Sequence, residues 1–335
     1  ELLPLVDFKN IKKSDIFPEK IRLVELFSKQ AVKELSSAGV WIDNCRKGWF
    51  PRKKKSQLYI QTWHGGFAGK KIEKDAPYLS KPYVKMAKRD SVAIDLIVTD
   101  SNVSTAIFKN SFWYSGKIFE FGTPRTDIFF DTKKISAFTE RIHNEYKIVD
   151  SKKIALYAPT FRQSLSLEPY MLDYEFLQKS LEEKFGGEWQ ICIRLHPNLA
   201  ERVKELSLPE NIVDFSGYSD IQELLCASDV VVTDYSSLMF DYWHLNRPVF
   251  LFATDYEEYT KNDRDFYVPI EKLPFCLAKN NDELQEHIKS FDSENYLKKL
   301  SEFKAEYKIV ADGHACEKVI NWLENKCAEI ERSNV

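Results

Sequence analysis

The sequence is poor in glycine and proline, with 11 and 13 among 335 residues. That excludes collagen-like and low-complexity architectures. No run approaches the roughly 18 to 20 apolar residues that span a bilayer, and the start has neither the charged head nor the apolar core of a signal peptide. The six cysteines, Cys45, Cys192, Cys226, Cys276, Cys316 and Cys327, form no CxxC pair and stand at no zinc spacing from histidine. Unpatterned cysteine favours a reducing cytoplasm, and Cys192 and Cys226, in apolar segments, read as small core hydrophobes. Neither GxxxxGK[ST] nor GxGxxG occurs, so there is no P-loop and no dinucleotide fingerprint. No acidic pair has a convincing Mg²⁺ context, and no metal is expected. A basic excess is also missing. Lys and Arg number 48 against 51 Asp and Glu, for a net charge of −3, which disfavours nucleic acid as a partner but allows a local basic patch.

Hydrophobic residues make up 44% of the chain and aromatics 14%, enough for two packed cores, and the length suits about two domains. Short β-branched or aromatic runs recur before helical patterns. They are Gln57–Gln61, Ile94–Thr99, Lys117–Phe121, Ile154–Tyr157, Trp189–Ile193, Ile212–Asp214, Val230–Thr233 and Val249–Phe252. Continuous apolar strands alternating with helices predict parallel sheets covered on both faces. Helices are expected from Ser101, over Ser219–Leu225 and Ser236–Leu245, with Ser219 and Ser236 as N-caps. The polar stretch Asp131–Lys153, with a short helical pattern near Ile135–Tyr146, places a boundary between domains 1–145 and 146–335. The last helical pattern, Cys316–Ile330, can pack on either one. In such sheets ligands sit beyond the carboxyl ends of the strands.

Several polar groups fall there. Thr62-Trp63-His64-Gly65-Gly66 follows a strand directly. Its glycines allow close approach to the backbone, and His64 stands as a general base or, alternatively, as a histidine hydrogen-bonded under a loop. Arg194-Leu195-His196-Pro197 suits an anionic oxygen, or else a strand-end ion pair. Thr233-Asp234-Tyr235-Ser236-Ser237 opens a helix where two hydroxyls and free N–H groups suit a phosphate, although ordinary capping is the alternative. Thr160 and Arg162 follow another strand, and Arg264 lies in a polar loop. Either arginine taken alone reads as a surface residue. The segment 46–55 holds six cations (Arg46, Lys47, Arg52, Lys53, Lys54 and Lys55) and no acid, with Trp49 and Phe50 among them. It suits an anionic membrane surface or a polyanionic acceptor, or is a solvated loop.

Read together, Gln61-Thr62-Trp63-His64-Gly65, Gly122-Thr123-Pro124-Arg125-Thr126-Asp127, Tyr157-Ala158-Pro159-Thr160-Phe161-Arg162, Arg194-Leu195-His196-Pro197, Ser216-Gly217-Tyr218-Ser219-Asp220, the run Ser228–Arg247, Arg264-Asp265-Phe266-Tyr267 and Asp312-Gly313 form an ordered set over most of the chain. The set resembles the CDP-glycerol glycerophosphotransferase family of bacterial teichoic acid and capsule synthesis. The resemblance implies a GT-B-like α/β fold of two doubly wound Rossmann-like domains facing a cleft. Domain 1–145 would face the acceptor and domain 146–335, with its C-terminal helix, would bind the CDP-alcohol. By the same resemblance His64 is the base, and His196 binds or stabilises the transferred phosphate. Ser236, Ser237 and Arg264 hold the diphosphate, with Thr160, Arg162 and Arg194 on the same phosphate side. Asp220 and Asp234 shape the nucleotide or alcohol pocket. The chain reads His64-Gly65-Gly66-Phe67 where the family commonly has His-Gly-Thr-Pro. Glu1 in place of Met, and a first domain short of one strand and helix, lead to the expectation that this domain is truncated.

The expected activity is transfer of a polyol phosphate, glycerol phosphate first, from a CDP-alcohol to a hydroxyl of a cell-wall or capsule polymer or its lipid-linked precursor, with CMP released. No cofactor is expected beyond that donor substrate. The expected location is cytoplasmic, peripheral on the inner face of the cell membrane. Two rivals remain: a GT-B glycosyltransferase using a nucleotide sugar, and a non-catalytic domain binding an anionic polymer through residues 46–55.

Overall fold

The computed structural model describes residues 4–6, 17, 20–48, 50–67, 69–162, 168–195, 205, 208–262 and 265–333. Near the start, β1 (Leu5–Val6) pairs in parallel with β2 (Val24–Glu25). A four-stranded parallel sheet follows, with helices between its strands. In chain order these elements are α1 (Lys29–Ser37), β3 (Val40–Asp43), β4 (Leu58–Gln61), α2 (Lys81–Ala93), β5 (Leu96–Thr99), α3 (Asn102–Ser111) and β6 (Lys117–Glu120), and the sheet order is β3-β4-β5-β6. Each helix starts where the sequence supplies a cap: the side chains of Ser28, Ser80 and Ser101 accept from Ala31, Tyr83 and Ser104 N–H. Strands β4 and β5 are buried along their whole length, as expected when helices cover both faces.

The second half begins with a 3₁₀ turn, Pro124–Phe130, and continues through α4 (Thr132–Tyr146), β7 (Lys153–Tyr157), α5 (Tyr174–Phe185), β8 (Trp189–Ile193), β9 (Val213–Asp214), α6 (Ile221–Ala227), β10 (Val230–Thr233), α7 (Met239–Tyr242), β11 (Val249–Phe252), α8 (Tyr256–Asn262), β12 (Cys276–Ala278), α9 (Asn281–Lys289), α10 (Ser293–Glu306) and α11 (Ala315–Ser333). Its sheet has six parallel strands in the order β12-β11-β10-β7-β8-β9. Strand order reverses between β7 and β10, so a crevice opens beyond their carboxyl ends. Helix α4 contributes Ile142 to this second core. Helix α11 returns to the first sheet, where Val319, Trp322 and Leu323 pack with Ile60, Leu96 and Val98. Among the described residues no helix is long and apolar enough to cross a membrane.

The strands read from sequence appear within a residue or two of their expected ends, and Cys192 and Cys226 are buried free thiols. Two expectations are corrected. Helix α6 is capped by Asp220, which accepts from Gln222 N–H, rather than by Ser219. The helix expected from Ser236 begins only at Met239, with Leu238 before it and no side-chain cap. Strands β3 and β12 were not expected; both lie at sheet edges, and neither is buried along its whole length.

The loop after β4 ties the two halves together. Phe67 is 1% exposed and sits among Phe240, Trp243, Phe303 and Tyr307 of the second half. Burying such a side chain is worth about 1.5–3 kcal/mol. Lys70 then bridges antiparallel to Phe266, and Tyr267 N–H donates to the Gly69 carbonyl at 2.8 Å. A Cβ on Gly69 would stand 2.8 Å from the Phe240 ring, so only glycine allows this approach.

Candidate active site

His64 is exposed beyond the carboxyl end of β4. Gln61, fully buried at the strand's last position, builds the turn: its Oε1 accepts from Trp63 N–H at 2.9 Å, and its Nε2 donates to the Cys45 carbonyl at 2.9 Å. Trp63 takes a left-handed backbone (φ 55°), a conformation costly for a bulky residue. Its ring is held edge-on by Phe112 at 4.9 Å. The His64 ring lies tilted on Trp63 at 4.1 Å, and its Nδ1 is 2.9 Å from the Asn44 carbonyl. A carbonyl only accepts, so Nδ1 carries a hydrogen, and in the neutral ring Nε2 carries the lone pair.

The backbone of this turn meets the second half at Asp241. Arg125 Nη1 donates to the His64 carbonyl, while its Nη2 lies 2.7 Å from Asp241 Oδ2 on α7. Gln222, in the first turn of α6, donates to the same carboxylate at 3.1 Å. The start of α6 and the start of α7 thus converge on one buried carboxylate beside the His64 turn. Gly66 sits against it: a Cβ there would lie 3.3 Å from Asp100 Oδ2 and 3.4 Å from Asp241 Oδ1.

Asp100 is fully buried at the end of β5. Burial pushes its carboxyl up to about 6 against hydrogen bonds from Ser104 and Ser101, and the neighbouring Asp241 charge adds to the rise. An acid with a raised folded-state pKa costs stability above that pKa, and the cost is relieved as pH falls toward the unfolded value. Asp100→Asn is therefore expected to be more stable than the parent at pH 7, by up to about 3 kcal/mol, and to lose that advantage near pH 4. Urea midpoints at both pH values measure this, and an advantage unchanged by pH would rule Asp100 out as the cause.

A second cluster occupies the strand-order reversal. Asp234, after β10, accepts from Thr160 N–H at 2.8 Å, after β7, and pairs with Arg162 Nη1 at 2.8 Å. Arg162 also bonds Asp255 through Nε at 2.6 Å and Nη2 at 2.9 Å, and donates to the Thr160 carbonyl at 2.5 Å. Arg162 is 2% exposed, with its guanidinium engaged by two carboxylates and a carbonyl, and Asp234 is 1% exposed. The expected phosphate-side Arg162 and pocket-shaping Asp234 are thus paired with each other inside the strand-order reversal. The Thr160 hydroxyl is buried without a hydrogen-bond partner among the described residues.

Arg194 Nη2 reaches the carbonyls of Tyr218 and Ser219 at 3.3 and 3.4 Å, next to Asp220, and its Nε has no partner among the described residues. Burial pulls its pKa below the usual value, with Asp220 and Tyr146 opposing. Ser236 and Ser237 are half-buried just before α7. His196, Arg264 and Trp49 lie outside the described residues.

The 46–55 segment is not a single surface patch. Arg46 is buried between Glu73 and Asp90, each at 3.1 Å, with its guanidinium over the Phe112 ring at 3.6 Å. Lys47 pairs with Asp43, and Lys53 pairs with Asp95 at 2.8 Å. Phe50 is 4% exposed in the first core. Arg52, Lys54 and Lys55 are exposed.

Sequence reasoning missed Arg125, Asp241, Gln222 and Asp255 as site-building residues. Arg125 was visible inside the Gly122–Asp127 motif. Asp127 of that motif caps α11 through Ala315 and Cys316 N–H at 3.0 and 2.7 Å, so part of the motif is structural.

These features agree with comparisons to known proteins. Residues 6–325 match the family described as CDP-glycerol:poly(glycerophosphate) glycerophosphotransferase. The teichoic acid poly(glycerol phosphate) polymerase of Staphylococcus epidermidis is 32% identical over 92% of this chain, and that of Bacillus subtilis 31% identical over 91%. The chain spans only 44% and 42% of the lengths of those two relatives. The structure of the wall teichoic acid polymerase TagF superposes with a TM-score of 0.79 at 29% identity, covering 94% of this chain and 80% of that one; a TagF variant has also been solved after a CDPG soak. The paired parallel sheets therefore have the GT-B-like arrangement. With the motif order, the fold and the match over residues 6–325 in agreement, the chain belongs to the CDP-glycerol:poly(glycerophosphate) glycerophosphotransferase family.

Proposed function

We propose that this protein transfers a polyol phosphate, glycerol phosphate first, from a CDP-alcohol to a hydroxyl of a cell-wall polymer or its lipid-linked precursor. The observation that carries this reading is the His64 turn, with Nδ1–H fixed on the Asn44 carbonyl and the backbone joined to α7 through Arg125 and Asp241. The acceptor hydroxyl attacks the β-phosphorus in line. A new O–P bond forms, the bridging P–O bond breaks, CMP leaves with the bridging oxygen, and the hydroxyl proton passes to His64 Nε2. Ser236 and Ser237, with the Arg194 guanidinium and the unpartnered Thr160 hydroxyl, are the groups proposed to meet the donor phosphates and nucleotide. His196 and Arg264 are assigned there by motif alone, and Asp220 stands beside Arg194 at the start of α6. Domain 1–145 faces the acceptor in this reading and 146–335 the donor. Exposed Arg52, Lys54 and Lys55 would draw a polyanionic acceptor or an anionic membrane face, which supports a peripheral place on the inner leaflet.

The test is a panel of CDP-glycerol, CDP-ribitol and nucleotide sugars, with the released nucleotide identified by chromatography. CMP from a CDP-alcohol is the expected product. Release of UDP or GDP from a sugar donor would replace this reading with glycosyl transfer, and polymer binding without turnover of any donor would replace it with a binding module.

A further inference from the structure

The Arg125 guanidinium has one end on the backbone of the candidate base and the other on the donor-side half. Its Nη1 donates to the His64 carbonyl, and its Nε and Nη2 reach Asp241 Oδ1 at 3.3 and 2.9 Å. Asp241 is 2% exposed and also takes the Gln222 amide at 3.1 Å. It therefore has little room to move, and the position of Arg125 is fixed by it. Among the described residues the His64 ring is also held by Asn44, Cys45 and Trp63, all in the first half. Among the described residues, the Arg125–Asp241 contact links that turn to α7, the helix that follows Ser236 and Ser237.

We propose that Arg125 is a positioning residue that holds His64 in register with α7 by bridging the His64 carbonyl to Asp241. The proposal rests on the reading of His64 as the acceptor-side base. A lysine ammonium is a compact point donor, whereas the planar fork of arginine spans two acceptors at once. The arrangement therefore requires arginine. A displacement of about 1 Å at a reacting group costs roughly 10²-fold in rate. A register error of that size should appear in kcat and leave donor binding nearly intact.

The experiment compares Arg125→Ala, Arg125→Lys and Asp241→Asn with the parent. The expected result is a fall in kcat of roughly 10²-fold in both Arg125 variants, with KM for CDP-glycerol little changed. Millimolar guanidinium should raise the turnover of Arg125→Ala, and methylammonium should not. A stabilising but non-positioning salt bridge would give neither the kcat-only loss nor the guanidinium rescue. Unchanged kcat, or a loss confined to KM, overturns the proposal. A second arm needs no substrate: the His64 ring resonances should shift in both Arg125→Lys and Asp241→Asn, while those of His287, bonded to the Leu277 carbonyl far from this pair in the sequence, stay in place. His64 resonances unmoved in both variants would overturn the positioning role even if CDP-glycerol proves not to be the donor. A parent that releases no CMP would sink the functional reading alone.

Discussion

His64→Ala is expected to lower CMP release from CDP-glycerol by roughly 10²–10⁴-fold, the usual contribution of a positioned general base. CDP-glycerol should still bind. His64 stands on the turn after β4, whereas Ser236, Ser237 and Arg194 lie on the second half, so removing the imidazole deletes the proton acceptor without touching the proposed donor contacts. The fixed Nδ1–H···O=C bond to Asn44 sharpens the expectation. With Nδ1 committed as a donor, the lone pair of the neutral ring stands on Nε2, the atom proposed to take the hydroxyl proton. Stopped assays of CMP, with calorimetric titration of CDP-glycerol, separate the two effects. Near-normal turnover in the variant would remove His64 from the base role, and loss of donor binding would move it to the donor site.

The second large effect concerns stability. Arg162→Met keeps the aliphatic stem and removes the charge, leaving Asp234 and Asp255 without their cation. Breaking one side of a buried ion pair typically costs about 3–5 kcal/mol, and a loss of that size is expected in urea or guanidinium unfolding. In the parent, burial opposes ionisation of Asp255, yet the hydrogen bonds and charge of Arg162 hold it below the usual carboxylate range. An acid with a lowered folded-state pKa contributes stability above its unfolded value and loses it as pH falls through the folded one. The gap between parent and variant should therefore be widest near neutral pH and should narrow below about pH 4. Asp255→Asn added to Arg162→Met should recover part of the loss. A gap of under about 1 kcal/mol, the scale of an exposed pair, would show that the network contributes little.

Much of the fold was legible because its signals are local. Strands such as Val230–Thr233 are continuous apolar runs in a doubly covered sheet, and Ser101 sits where a helix needs a cap. Within the site, His64 was legible from the strand-to-glycine transition in the sequence, and its side chain does stand at that strand end. The surroundings of other charged groups were not legible, because they depend on a distant partner. Arg162 has the residue type and the strand-end position of a phosphate ligand, but its fork is filled by Asp255, 93 positions away. Arg46 opens a run of cations, yet it is neutralised by Glu73 and Asp90 and covers Phe112.

The amino-acid order by itself determined the alternating parallel architecture, the Ser101 cap and the family motifs, because periodicity and capping act over a few residues. Only the tertiary structure decided which charged groups are spent inside the protein, and which join one half to the other. A charge buried next to an opposite charge is held there by a partner brought close by packing, and no local pattern encodes that partner. The bridge from His64 through Arg125 to Asp241 is of this kind: its three residues lie on three separate segments, and they meet only because the loop carrying Phe67 and Lys70 is packed into the second half.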